Sequence, residues 1–174
     1  MGISIVLLAA CSATGVDRPV HTAADAREGS GMQLTSAAFV HGESIPDRYT
    51  CDGADMSPPL TVGDLPSAAT ALALVMDDPD APRGTWDHWV VYDIEPTTDI
   101  PEGVQHLGTS GSNSWQRAGY GGPCPPGGTH RYFFTVYALD GALALEAGAS
   151  KGELLDAMHG HVVGEATLMG TYQR

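Results

Sequence analysis

The chain has 174 residues, 43% of them hydrophobic and 17% charged, which fits one globular domain and excludes a wholly disordered chain. Its formal charge is −13 and its eight Lys and Arg are scattered, which speaks against duplex DNA or RNA as a partner, because phosphate backbones are bound by clustered cations. With 22 glycines and 12 prolines against three Phe, the composition favours many turns between short strands over a helical bundle.

The first element is an apolar stretch, residues 2–10, too short to span a bilayer and of the size of an export signal's core. It ends in Leu8-Ala9-Ala10-Cys11, which resembles the lipobox of bacterial lipoproteins. That resemblance implies cleavage before Cys11, a diacylglyceryl thioether on its sulfur, and a protein held to the extracytoplasmic face of a bacterial cell membrane. No Lys or Arg precedes the apolar run, a departure from such signals. The alternative is a short buried N-terminal strand. Residues 12–31 are small and polar without apolar periodicity, as a tether would be. The predicted organisation is a signal peptide over 1–10, a lipid-anchored tether over 11–31, and a folded domain over 32–174.

Within the domain, residues 32–40 read as a first strand and 70–77 as a short apolar strand whose C-terminal end exposes Asp77 and Asp78. The strongest strand signals are 86–94 and 130–140, rich in β-branched and aromatic residues and bounded by Pro and Gly clusters. The connection between them, 96–129, is long and dense in Gly, Ser, Pro and Thr, a kind of segment more often functional than idle. Ser150 and Glu153 stand at capping-box spacing before Leu154, Leu155 and Met158, which predicts one helix. Residues 162–172 close the chain as a strand with Ala166, Leu168 and Tyr172 on one face.

If Cys11 carries lipid, Cys51 and Cys124 remain as an even pair in an oxidising compartment, where a disulfide is expected. A reactive thiol is the alternative, with His130 six residues after Cys124 as its base.

Two constellations carry chemistry. Asp78 and Asp80 flank a proline, and in extended backbone their side chains would point the same way. Such a pair could ligate a metal with His88 and His130, act as acid and base, hold a hydrogen-donating ligand, or simply stabilise a solvated turn. No tight metal-ligand spacing and no nucleophile elbow is present. The second constellation is residues 119–134. Its paired glycines allow close backbone approach and amide donors, and its prolines stiffen a lip that leads into His130. His88 stands likewise near the start of the other strong strand. Each histidine alone suits a satisfied buried position; together they read as walls of one pocket.

The segments YTCDG (49–53), SPP (57–59), DDPDAP (77–82), DHWVVYDI (87–94), GYGGPCPP (119–126) and HRYFFTVYALD (130–140), in this order, resemble the phosphatidylethanolamine-binding protein family, related to Raf kinase inhibitor protein, in its bacterial branch. The resemblance implies a mainly β fold, a Greek-key β-sandwich of two antiparallel sheets with a short helix near the C-terminus. It also implies a pocket at one end for a small anionic or phosphorylated ligand such as a phosphoethanolamine head group. Carried over by position, the ligand-binding residues are Asp78, Asp80, Trp86, His88, Gly122, Pro123, His130 and Tyr132. Neither a metal nor a cofactor is implied. Two departures stand out: Val62 where the family often has Trp, and Asp55 where Asn is common.

A carboxylate beside a phosphate in a partly dry site repels it unless one of them carries a proton. The expectation is that Asp78 accepts a hydrogen bond from a protonated phosphate or is itself protonated, while His88, His130 and the lip amides donate. The leading reading is therefore a non-enzymatic binding module. The rivals are a regulator that inhibits a kinase or protease through its surface, and a metal-assisted hydrolase using Asp78, Asp80 and His88.

Overall fold

In the computed structural model, residues 1–2 and 31–174 are described. The apolar stretch, the lipobox with Cys11 and nearly all of the tether lie outside the described residues. Among the described residues, eight strands form two antiparallel sheets: a small one in the order β1-β2-β5 and a large one in the order β6-β4-β3-β7-β8. The small sheet comprises β1 (Gln33–Thr35), β2 (Leu60–Gly63) and β5 (Asp99–Ile100). The large sheet comprises β3 (Ala71–Asp78), β4 (Trp86–Ile94), β6 (Thr109–Ser110), β7 (Thr129–Leu139) and β8 (Val162–Gln173). The one α-helix among the described residues, α1 (Lys151–Met158), lies near the C-terminus.

The core explains why β3 reads as an unbroken apolar run rather than an alternating one. Leu72, Leu74 and Met76 point to the same side as Trp89, Val91, Phe134 and Leu168, and pack against Leu34, Leu60, Val62 and Ile100 of the small sheet. Ala71, Ala73 and Val75 face the other way, with Val90 and Tyr92, onto Leu154 and Met158 of α1. A strand covered on both faces needs apolar residues at every position. Each fully buried Leu, Met or Phe contributes about 1.5–3 kcal/mol of transfer free energy.

The helix starts where its sequence predicts. Ser150 accepts the Glu153 amide through its side chain, and Glu153 accepts the Ser150 backbone N–H at 2.8 Å, closing the capping box. The first strand is shorter than the expected 32–40. The Ser36 hydroxyl donates to the Pro59 carbonyl at 2.6 Å and accepts the Ala38 amide at 3.1 Å, which turns the chain after Thr35. The connection 96–129 holds two two-residue strands, β5 and β6, which pair with β2 and β4.

Because β3 runs antiparallel to both its neighbours, its C-terminal end lies beside the N-terminal ends of β4 and β7. Asp78, Trp86, His88, His130 and Tyr132 are thereby brought to one end of the large sheet.

Candidate functional site

Asp78 is the last residue of β3 and 3% exposed. Its Oδ1 accepts the Asp80 amide at 2.8 Å, and its Oδ2 lies 2.7 Å from Nδ1 of His130, itself 7% exposed. Buried charges persist only when paired or hydrogen-bonded, and this carboxylate has a donor on each oxygen.

The turn closed by Asp78 corrects the expectation that Asp78 and Asp80 share a direction. Residues 78–80 form a side-chain-closed turn, so the backbone is not extended there. Asp80 turns outward and takes three bonds from Arg131: the backbone amide at 3.0 Å, Nε at 2.8 Å and a terminal guanidinium nitrogen at 2.7 Å. The bidentate guanidinium holds the Asp80 carboxyl down to about 2. That engagement takes Asp80 out of the set Asp78, Asp80, His88 on which the metal-assisted reading depends, and among the described residues no three His, Cys, Asp or Glu are grouped to hold a metal ion.

His88 is 3% exposed, and its Nδ1 lies 2.7 Å from the Gly121 carbonyl. A carbonyl can only accept, so Nδ1 carries the proton and Nε2 is an acceptor in the neutral ring and a donor only in the imidazolium. Burial lowers the imidazole's pKa below its ordinary value, against the opposing pull of the Gly121 carbonyl and the Asp78 charge.

The lip departs from its expected role as well. The Gly121 amide donates to the His88 carbonyl at 3.1 Å, and the Gly122 amide donates to Asp55 Oδ1 at 2.6 Å. Those two amides scaffold the site and are not offered to a ligand. The glycines are required by close approach: a Cβ on Gly121 would lie 2.6 Å from the Trp115 ring, and one on Gly122 2.6 Å from the Tyr49 carbonyl. Pro123 is buried, and its carbonyl accepts the Cys51 amide at 3.1 Å. Cys51 and Cys124 form a disulfide that fastens the lip to the segment after the 3-10 turn Asp47–Tyr49.

Aromatic rings complete the cluster. His88 meets Tyr132 and Trp115 edge-on, with centroids 5.3 and 5.0 Å away, and Trp86 meets Trp115 at 5.4 Å. Trp115 remains 38% exposed with the Arg117 guanidinium 5.2 Å from its ring. Tyr132 is fully buried and its hydroxyl makes no well-formed hydrogen bond, although the Asp78 carboxylate and the Cys124 backbone stand close enough to act on it; burial first, then Asp78, pushes its pKa well above the usual value.

Trp115 was not among the sequence-predicted residues. A lone tryptophan in a loop of Gly, Ser and Asn was the available signal. Of the two departures, Asp55 is the residue that fixes Gly122, whereas Val62 is 1% exposed in the core between the sheets. A cavity of about 350 Å³ lies beside the cluster, lined by Ser57, Trp89, Leu107 and Tyr120 among others, and by none of Asp78, His88, His130 or Tyr132.

The phosphatidylethanolamine-binding protein family profile matches residues 35–173. The chain belongs to that family. Among relatives, a UPF0098 protein of Methanothermobacter thermautotrophicus is 51% identical over 150 residues, spanning 82% of this chain and 99% of the relative. One from Chlamydia muridarum is 47% identical over 149 residues with the same shares covered. The crystal structure of a phosphatidylethanolamine-binding protein homolog from Chlamydia trachomatis superposes with a TM-score of 0.81 at 45% identity, covering 84% of this chain and 99% of that one. E. coli YbcL, described as a member of the mammalian family, gives 0.75 at 30% identity, covering 82% and 98%. The family's two-sheet architecture is the one described above, and its matched segment contains the whole Asp78–His88–His130–Tyr132 cluster.

Proposed function

We propose that this member of the family is a non-enzymatic binder of a small anionic or phosphorylated ligand, held by His88, His130 and Tyr132 at the end of the large sheet. The observation that supports the reading is the meeting, at one end of the large sheet, of two buried imidazoles whose Nδ1 atoms are both committed and the buried Tyr132 hydroxyl, which makes no well-formed hydrogen bond. A tetrahedral oxyanion supplies acceptors for the tyrosine hydroxyl and, when protonated, a donor for a neutral Nε2. At lower pH the imidazolium form donates instead, and the interaction becomes charge-assisted. Asp78 is not a bare carboxylate facing the ligand, because both its oxygens have donors and one of them is His130. The chain's charge of −13 offers no long-range attraction for anions, so the affinity expected is millimolar and the association unsteered.

The test is thermal unfolding with phosphate, phosphoethanolamine and ethanolamine. A ligand that binds only the folded state raises Tm by linkage. Phosphate and phosphoethanolamine should raise the Tm of the wild type, and ethanolamine should not. An equal shift in His88→Gln, or a shift by ethanolamine alone, would contradict the reading.

The apolar stretch ending in Leu8-Ala9-Ala10-Cys11 supports a further part of the proposal, lipid attachment at Cys11 on the extracytoplasmic face of a membrane. Labelled fatty acid should enter the wild type and not Cys11→Ala; equal labelling of both would contradict it.

A further inference from the structure

We infer that Lys151 is a positioning residue for this site: it staples the β-bulge that turns His88 toward Tyr132. The functional consequence rests on the anion-binding reading; the structural claim does not.

The register shows the bulge. Met76 of β3 pairs with Trp89 of β4, and the next residue, Asp77, pairs with Asp87, so His88 is the extra residue. Trp89 packs between the sheets, while Val90 and Tyr92 face α1. Strict alternation would send His88 to the helix side with Val90. The bulge breaks the alternation, and His88 instead meets Tyr132, whose ring belongs to the core between the sheets. Re-aiming one side chain is what a bulge beside a site does.

This bulge closes on two carboxylates. Asp77 and Asp87 are direct cross-strand partners, and like charges so placed destabilise a pair of strands. Lys151, the first residue of α1, resolves the conflict by bonding Asp77 Oδ2 while its Nζ lies 3.1 Å from Asp87 Oδ1. The three side chains are 20%, 22% and 25% exposed, so solvent and salt screen them less than an open surface pair. The capping box at Ser150 and the burial of Leu154 and Met158 fix the lysine's starting point.

The clamp reaches further than the bulge. The Asp87 amide donates to Ser114 Oγ at 2.8 Å, and the Ser114 amide donates to the Asp87 carbonyl at 2.9 Å. Three residues of the cluster therefore each follow directly on a member of one network: Asp78 on Asp77, His88 on Asp87, and Trp115 on Ser114.

The experiment compares wild type, Lys151→Met, Lys151→Arg and the triple variant Lys151→Met/Asp77→Asn/Asp87→Asn, reading inorganic phosphate affinity and the His88–Tyr132 ring NOE in the unliganded protein. Lys151→Met should weaken phosphate binding about tenfold and lose the NOE, an effect of the size found when a residue supporting a ligand-holding group is removed. Lys151→Arg should keep both, and the triple variant should restore the NOE because it removes the repulsion. Should Lys151→Met fail to fold, Lys151→Gln carries the same test. An intact NOE in Lys151→Met or Lys151→Gln, or a phosphate loss that Lys151→Arg shares, would overturn the inference. If the wild type binds no phosphate, the anion reading fails, and the NOE alone still decides whether Lys151 positions His88.

Discussion

At the scale of single residues, His88 ties stability to pH. Its pKa is lowered in the folded protein by burial, so folding favours the neutral ring. The unfolded state then binds more protons, and stability rises with pH through this window. The contribution is complete above the unfolded value of about 6.5 and is lost as pH falls through the folded value. The unliganded domain should therefore lose Tm between pH 7 and pH 5, and His88→Gln should flatten that slope; parallel slopes would remove His88 as the cause. Asp80 titrates in a separate window, since its pKa is held down to about 2 and its contribution fades only as pH falls from about 4 toward that value. Tyr132 gives the opposite kind of test. Tyr132→Phe deletes a buried hydroxyl that makes no well-formed hydrogen bond, so it should shift the stability of the unliganded protein by no more than about 1 kcal/mol while weakening phosphate binding. Denaturant unfolding beside a phosphate titration measures both, and destabilisation with unchanged binding would count against a ligand at that hydroxyl.

At the scale of elements, α1 depends on its N-terminal cap. Ser150→Ala removes the side-chain acceptor for the Glu153 amide and should cost about 1 kcal/mol in denaturant unfolding. No measurable loss would mean that packing of Leu154 and Met158 alone holds the helix. The same element shows what could be read beforehand. Capping spacing, β-branched runs and apolar length are local properties, and they placed α1, β3, β4, β7 and β8 within about two residues. The strand β2 has only Leu60 and Val62 as an alternating signal, between Pro59 and Asp64, and went unrecognised. The bulge at His88, the outward turn of Asp80 and the grip of Lys151 on Asp77 and Asp87 are properties of pairing between distant segments, which no single window of sequence contains. That Asp78, His88, His130 and Tyr132 belong together was legible as a set of residues; which backbone groups around them are tied up in scaffolding bonds was not. Gly122 is the sharpest instance, for its amide is given to Asp55, 67 residues away.

At the scale of the whole molecule, the disulfide between Cys51 and Cys124 closes a loop with a sequence separation of 73. In the chain-entropy model such a closure stabilises by roughly 4 kcal/mol, so the reduced protein should unfold at correspondingly lower denaturant, and an unchanged midpoint would contradict that. The lip it fastens holds the Gly121 carbonyl against His88 and the Gly121 backbone against Trp115. Two of the chain's three tryptophans, Trp86 and Trp115, stand in contact beside His88, while Trp89 lies in the core. Tryptophan fluorescence is thus a direct reporter of the site. The most direct test is a fluorescence titration of wild type and His88→Gln with inorganic phosphate at pH 6.5, both shown to be folded. The account predicts a saturable change at millimolar phosphate in the wild type and none in the variant. The same saturable change in both proteins, or no change in the wild type, would contradict it.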